Sequence, residues 1–243
     1  MYSLDELFNN IKKKFELIDS NRYWGDDYDV RFFLASQLKK IKNKRILDIG
    51  GGIGIISSEL DKSNQIINLD LSKSDLTKCK INTTNVLLIN GSMTELPFNE
   101  NNFDVVICSH LLEIAKFLDV KDQNKLDSKN YPTVKKVLKE IHRVLKSDSK
   151  LYLTTPNNAY YQSTKLTYHE LINAIQNNFQ KYSLFYYNTH HSFSKNQRKL
   201  NLTNLIPKIQ SKFKDHDEII KSLCKKDQQK DLKSVSFYVE VMK

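Results

Sequence analysis

An acid, three alternating glycines, a second acid and a short polar run ending in histidine are the residues here whose types and spacing suit chemistry. Asp48 lies in the apolar run Arg45-Ile46-Leu47-Asp48-Ile49, and Gly50, Gly52 and Gly54 follow at alternate positions. A second apolar set, Ile53, Ile55, Ile56 and Leu60, completes a pattern that predicts strand, tight turn and helix. That order opens a nucleotide-type binding site. Glycine suits such a turn because a side chain would block close approach of the backbone to a ligand, and because tight turns use positive φ. A dinucleotide fingerprint would need a third glycine at 55 or 57, where Ile55 and Ser57 stand. Spacing therefore argues against NAD. Asp70 ends the next apolar run, 16 residues after Gly54. A carboxylate at that offset can accept hydrogen bonds from ribose hydroxyls. Its structural alternative, capping the next helix, falls better to Ser72, which with Asp75 makes a capping pattern. Farther on, Ser109, His110 and Glu113 follow another apolar run. His110 offers a base, a substrate ligand or a buried structural ring, and Glu113 carries the same alternatives.

These side chains need a sheet beneath them, and the apolar runs supply one. Strands are predicted at Ile46–Ile49, Gln65–Asp70, 85–90, 102–110, 151–155, 182–187 and 235–241. Ser147-Asp148-Ser149 is predicted as a turn. Between strands, Pro132 opens a helix with Val134, Val137, Leu138, Ile141, Val144 and Leu145 at helical spacing. Thr167-Tyr168-His169-Glu170 is a capping box that starts another. Residues 1–43 form an N-terminal helical extension. Its first helix presents Leu4, Leu7, Phe8, Ile11, Phe15 and Ile18, and its second Val30, Phe33, Leu34, Leu38 and Ile41. The polar stretch Phe117–Tyr131 reads as a long loop, either a lid or a solvated insertion.

Composition narrows the class. A 40% hydrophobic content in 243 residues supports one domain with additions. No run approaches the roughly 20 apolar residues of a membrane span, and the N-terminus lacks a signal-peptide apolar core. The expectation is a soluble, cytoplasmic protein. Cys79, Cys108 and Cys224 are odd in number and far apart, and suggest neither a metal site nor a disulfide framework. The net charge of +10 is uneven. An insertion at about 188–233 holds eleven lysines and arginines against five acids, with Leu202, Leu205, Ile206, Ile209 and Phe213 at helical spacing. Such a basic amphipathic helix lies on a membrane surface, contacts RNA, or packs on the core with its lysines in water. His190 and His191 lead into it without metal-site spacing.

The D-x-G-x-G-x-G run from Asp48 to Gly54 resembles the first signature of the class I S-adenosylmethionine-dependent methyltransferases. Gly91-Ser92-Met93-Thr94-Glu95-Leu96-Pro97-Phe98 is similar to their G-D-A-x-x-L-P-F stretch, with Ser92 in place of the acid. Phe103-Asp104-Val105-Val106 is similar to their F-D-x-V motif, and Glu140–Lys146 to the helix before their fifth strand. The resemblance runs from about Lys44 to Tyr187 plus the final strand, and is nearest the metabolite-directed, type 11-like branch. It implies an α/β fold: a doubly wound, seven-stranded, mostly parallel, Rossmann-like sheet with an antiparallel final strand, over residues 44–243. It implies S-adenosylmethionine as cofactor. Asp48 would organise the glycine loop and the methionine amino group, and Gly50, Gly52 and Gly54 would let the backbone approach. Asp70 would hold the ribose, with Leu71, Ser92 and Met93 at adenine. Ser109 and His110 would flank the sulfonium. Tyr23, Trp24, Tyr28, Glu113 and Asn157 are candidate substrate contacts, with packing as the alternative for the aromatics. The implied reaction is in-line methyl transfer to a small-molecule or lipid-precursor acceptor. RNA, reached through the basic insertion, is the alternative acceptor, and a non-catalytic partner subunit is the third reading. No N-P-P-Y-type signature for amino acceptors is present.

Overall fold

The computed structural model describes residues 31, 34, 35, 37–121, 131–156, 166–187 and 236–243. Seven strands form one sheet: β1 (Arg45–Ile49), β2 (Gln65–Asp70), β3 (Val86–Asn90), β4 (Phe103–Ser109), β5 (Leu145–Pro156), β6 (Lys181–Tyr187) and β7 (Ser236–Met242), in the order β3-β2-β1-β4-β5-β7-β6. β7 is antiparallel to both of its neighbours, and the other pairings are parallel. The chain runs outward from β1 to β3, then returns to lay β4 against the other side of β1. That reversal makes a crevice beyond the carboxyl ends of β1 and β4, where ligands bind in such sheets.

Both faces of the sheet are covered, which is why the central strands are nearly continuous in apolar residues. Alternate residues divide between two cores. Leu47, Ile49, Ile67, Leu69, Val106 and Cys108 face one, which also takes side chains from the helices α2 (Leu112–Lys121), α3 (Pro132–Val144) and α4 (Tyr168–Gln176). Ile46, Ile66, Val105, Ile107, Tyr152 and Tyr238 face the other, with Leu34, Ala35, Leu38, Ile56 and Leu60. α3 buries Val134, Val137, Leu138, Ile141 and Val144 completely, each worth about 1.5–3 kcal/mol of transfer free energy. α1 (Lys73–Asn82) starts where Ser72 Oγ accepts from the Asp75 amide at 3.2 Å. The Thr167 capping box of α4 is present in full.

Three expectations change. The segment after the glycines is a run of turns ending in a 3-10 helix, Ser57–Glu59, instead of an α-helix. Ile53, Ile55 and Ile56 are β-branched and poor helix formers. The 3-10 helix has no side-chain cap, and the Asp61–Asn64 turn follows at once. Residues 117–121, read as loop, continue α2. Ser147–Ser149 lies within the β5 run as an irregularity with Asp148 at φ 58°, where the pairing to β4 slips. The first predicted helix of the extension, the residues Tyr23, Trp24, Tyr28 and Asn157, and the insertion at 188–233 lie outside the described residues. Among those described, no helix is long and apolar enough to cross a membrane.

Candidate functional site

The glycine loop is a backbone structure. Gly50, Gly52 and Gly54 all have positive φ, at 67°, 52° and 82°. Two of them also sit where a side chain has no room. A Cβ on Gly50 would come within 2.7 Å of Leu111 Cδ1, and one on Gly54 within 2.5 Å of Cys79 Sγ. Above Gly52 the space is open, with nothing nearer than Asp70 Oδ2 at 3.9 Å. The loop therefore presents bare main chain to the crevice at one glycine and packs tightly at the other two.

Asp70 ties the loop to the end of β2. Its Oδ2 accepts from the Gly52 amide and its Oδ1 from the Ser72 amide, both at 2.8 Å. A carboxylate has about four acceptor positions, so capacity for a diol remains. Asn90, at the end of β3, donates to the carbonyls of Asp70 and Leu71 at 3.0 and 2.9 Å and holds that edge in place. Leu71 beyond it is 75% exposed, an apolar side chain standing in water at the rim.

Asp48 lies beneath the loop, 1% exposed. The Ser57 hydroxyl donates to its Oδ2 at 2.6 Å, while Oδ1 has no partner. Burial pushes its carboxyl up to about 6, against the opposing pulls of the Ser57 bond and the positive charge of Arg31. Asn68 stands beside it on β2, register partner to Asp48. Cys79, on α1, receives a contact from Asn68 Nδ2 at 3.3 Å, and burial raises its thiol.

Ser92 and Met93 follow β3. The Ser92 hydroxyl lies 2.9 Å from that of Thr94 and accepts from the Thr94 amide, closing a tight turn. Met93 packs half-buried against the larger core. Arg143 fixes the rest of this stretch by donating to the carbonyls of Phe98 and Leu96 at 2.7 and 3.0 Å.

At the end of β4 the site changes character. Ser109 pairs hydroxyl to hydroxyl with Thr154 at 2.8 Å, out of water. His110 has φ 53° and is 4% exposed. That left-handed backbone is uncommon outside glycine, though histidine is enriched there. Its Nδ1 lies 3.3 Å from Glu113 Oε1, and Thr155 donates to Glu113 Oε2 at 3.3 Å. Behind this line, Lys116 on α2 and Tyr131 before α3 both donate to Glu170 on α4, at 2.8 and 2.6 Å. The Lys116 ammonium also sits 4.7 Å over the Tyr131 ring. Burial works to raise the Glu170 carboxyl, but these bonds outweigh it and hold it below the usual range.

Asp48, the three glycines, Asp70, Leu71, Ser92, Met93, Ser109, His110 and Glu113 thus all stand along the carboxyl edge of β1, β2, β3 and β4. Sequence reasoning missed Ser57, Asn68, Asn90 and Thr155. Asn68 alone carried a signal, as an amide interrupting the run Ile66-Ile67-Asn68-Leu69. Among the described residues, no cluster of three or more His, Cys, Asp or Glu is placed to hold a metal.

Comparison with known proteins bears on the domain and its fold. A model described as a methyltransferase domain matches residues 47–153. An uncharacterised protein of Methanocaldococcus jannaschii is 32% identical over 123 residues, 49% of this chain and 45% of its own. A demethylmenaquinone methyltransferase of Staphylococcus epidermidis is 26% identical over 58% of this chain and 54% of its own. The chain thus spans about half the length of these relatives. A ubiquinone/menaquinone biosynthesis C-methyltransferase of Geotalea uraniireducens is 24% identical over 76% of this chain and 77% of its own. A solved S-adenosylmethionine-dependent methyltransferase of Archaeoglobus fulgidus has the same fold, with TM-score 0.57 at 14% identity over 94% of this chain and 99% of that one.

Proposed function

We propose, from the match of residues 47–153 to a model described as a methyltransferase domain, that this chain transfers a methyl group from S-adenosylmethionine to a small-molecule or lipid-precursor acceptor. One observation carries the reading: a glycine loop at positive φ tied by its Gly52 amide to a carboxylate, Asp70, with an exposed Leu71 beyond it. The residues fit the cofactor. Open space above Gly52 admits a ligand against bare main chain, and Asp70 retains acceptor capacity for a sugar diol. Asp48 has a buried oxygen without a donor, suited to an ammonium reached directly or through water. Leu71 and Met93 are the apolar surfaces for a base, and Ser92 is its polar neighbour.

When bound, S-adenosylmethionine supplies an electrophilic methyl group on a sulfonium. The task of the chain is to orient the acceptor and, where the accepting atom starts protonated, to take its proton. His110 is our candidate base. Glu113 Oε1 lies 3.3 Å from its Nδ1, and Thr155 holds Glu113. Ser109 keeps the end of β4 in place through Thr154. The names of the relatives make a quinone precursor ring the first acceptor to test. Tyr23, Trp24, Tyr28 and Asn157 stay candidate acceptor contacts on the sequence alone. The basic segment at 188–233 supports RNA as a second acceptor class, readable as salt-sensitive RNA binding.

Calorimetry with S-adenosylmethionine tests the reading. We expect binding by the wild type and at least tenfold weaker binding by Asp70→Ala, which loses a charged acceptor worth about 1.5–3 kcal/mol. Equal affinity would remove the ribose assignment. Absence of binding by the wild type would favour a non-catalytic partner subunit.

A further inference from the structure

Asn68 is a buried amide on a strand whose neighbouring positions are apolar. It is 0% exposed, between Ile67 and Leu69. Its register partner on β1 is Asp48, so the two side chains rise from the same face of adjacent parallel strands. Ile46 and Ile66, one step earlier on that face, belong to the smaller apolar core. The polar pair is therefore the last layer before the crevice, and the glycine loop lies across it.

The contacts are with the loop itself. Asn68 Nδ2 donates to the Gly52 carbonyl at 3.3 Å and reaches Cys79 Sγ at 3.3 Å. Its Oδ1 and Cγ lie 2.6 and 2.8 Å from where a Cβ on Gly51 would stand, and Asp48 Oδ2 lies 2.8 Å from the same point. Gly51 is the one glycine of the four without positive φ, so its lack of a side chain is explained by this floor and not by backbone conformation. Gly52 is held from both sides: its amide by Asp70, its carbonyl by Asn68. Cys79, touched by Asn68, in turn occupies the space under Gly54. A leucine, with the same branching and number of side-chain heavy atoms, would bury more apolar surface at 68 and leave no orphan oxygen, whereas Asn68 Oδ1 has no partner.

We propose that Asn68 is a positioning residue for the cofactor: it fixes the peptide after Gly52 so that the loop keeps its ligand-receiving path in the empty protein. The inference rests on the cofactor reading above. It acts through the loop, and Asn68 itself touches no ligand. Preorganisation of this kind lowers the ordering cost that binding would otherwise carry.

The test is Asn68→Leu, read by calorimetry with S-adenosylmethionine, by thermal unfolding of the free protein, and by amide hydrogen exchange. We expect affinity to fall about tenfold, the effect of one lost hydrogen bond's preorganisation. The melting temperature should hold or rise, and the Gly52 and Gly54 amides should exchange about tenfold faster while those of β1 and β2 stay unchanged. Wild-type affinity with unchanged loop exchange overturns the proposal. So does a loss of affinity that comes with a lower melting temperature and faster exchange throughout β1 and β2. If the wild type binds no S-adenosylmethionine, the functional reading fails, and the exchange comparison still decides whether Asn68 holds the loop. Asn68→Ser, small and polar, is read by the same measurements should the leucine variant not fold.

Discussion

The two halves of the carboxyl edge are built from different materials. Over β1 and β2 the surface is main chain: glycines at positive φ, amides on a carboxylate, and side chains mostly used from below. Over β4 and β5 it is side chain: His110, Glu113, Thr155, Ser109 and Thr154 in buried contact. Main chain recognises what every bound cofactor of one kind has in common. Side chains are where a choice of acceptor can be written. The first half therefore fits the general part of the reaction and the second the particular part.

The sharpest way to break this contrast is Gly54→Ala. The residue has φ +82° and its Cβ would lie 2.5 Å from Cys79 Sγ. Left-handed strain of about 1–2 kcal/mol and overpacking of about 1–3 kcal/mol predict a loss near 3 kcal/mol in urea unfolding. Pairing it with Cys79→Gly should return the packing part only. A loss below about 1 kcal/mol would mean the loop is not built as described.

On the other half, His110→Gln should lower methyl transfer about a hundredfold, the lower range for loss of a general base, with the cofactor dissociation constant within about twofold of wild type. A change confined to cofactor affinity would move His110 to the first half.

A pH-dependent effect separates Asp48 from its neighbours. Its carboxyl titrates at 3.8 ordinarily and at about 6 in the fold. The protonated form is the one the folded state prefers, so its contribution is complete below about pH 4 and lost as the pH rises through 6. Asparagine mimics that form at every pH. The variant Asp48→Asn should match the wild type near pH 4 and exceed it by about 3 kcal/mol at pH 8. Denaturant titrations across this range check the sign, and a difference that grows toward low pH would refute it.

The same contrast explains what was legible beforehand. Asp48, the glycines and Asp70 could be read because backbone conformation demands glycine and because a strand must end where its acid stands. The seven strands followed from apolar runs. Ser57 was invisible, since a hydroxyl nine residues after an acid fits no fixed pattern, and the turn that brings it back depends on the whole loop. Thr155 and Glu113 meet only because β4 and β5 are neighbours, a long-range fact. The helix expected after Gly54 failed because three isoleucines satisfied the apolar pattern while opposing helical backbone.

Lys116, Tyr131 and Glu170 come from three separate stretches, and they knot together α2, the start of α3 and the start of α4. Residues 122–130 leave from α2 and return at Tyr131, and residues 157–165 leave from β5 and return just before Thr167. Three of the four junctions of these two segments are thus moored close to one shared charge. Glu170 is a common anchor for the described parts of three helices, and replacing it should loosen all three together.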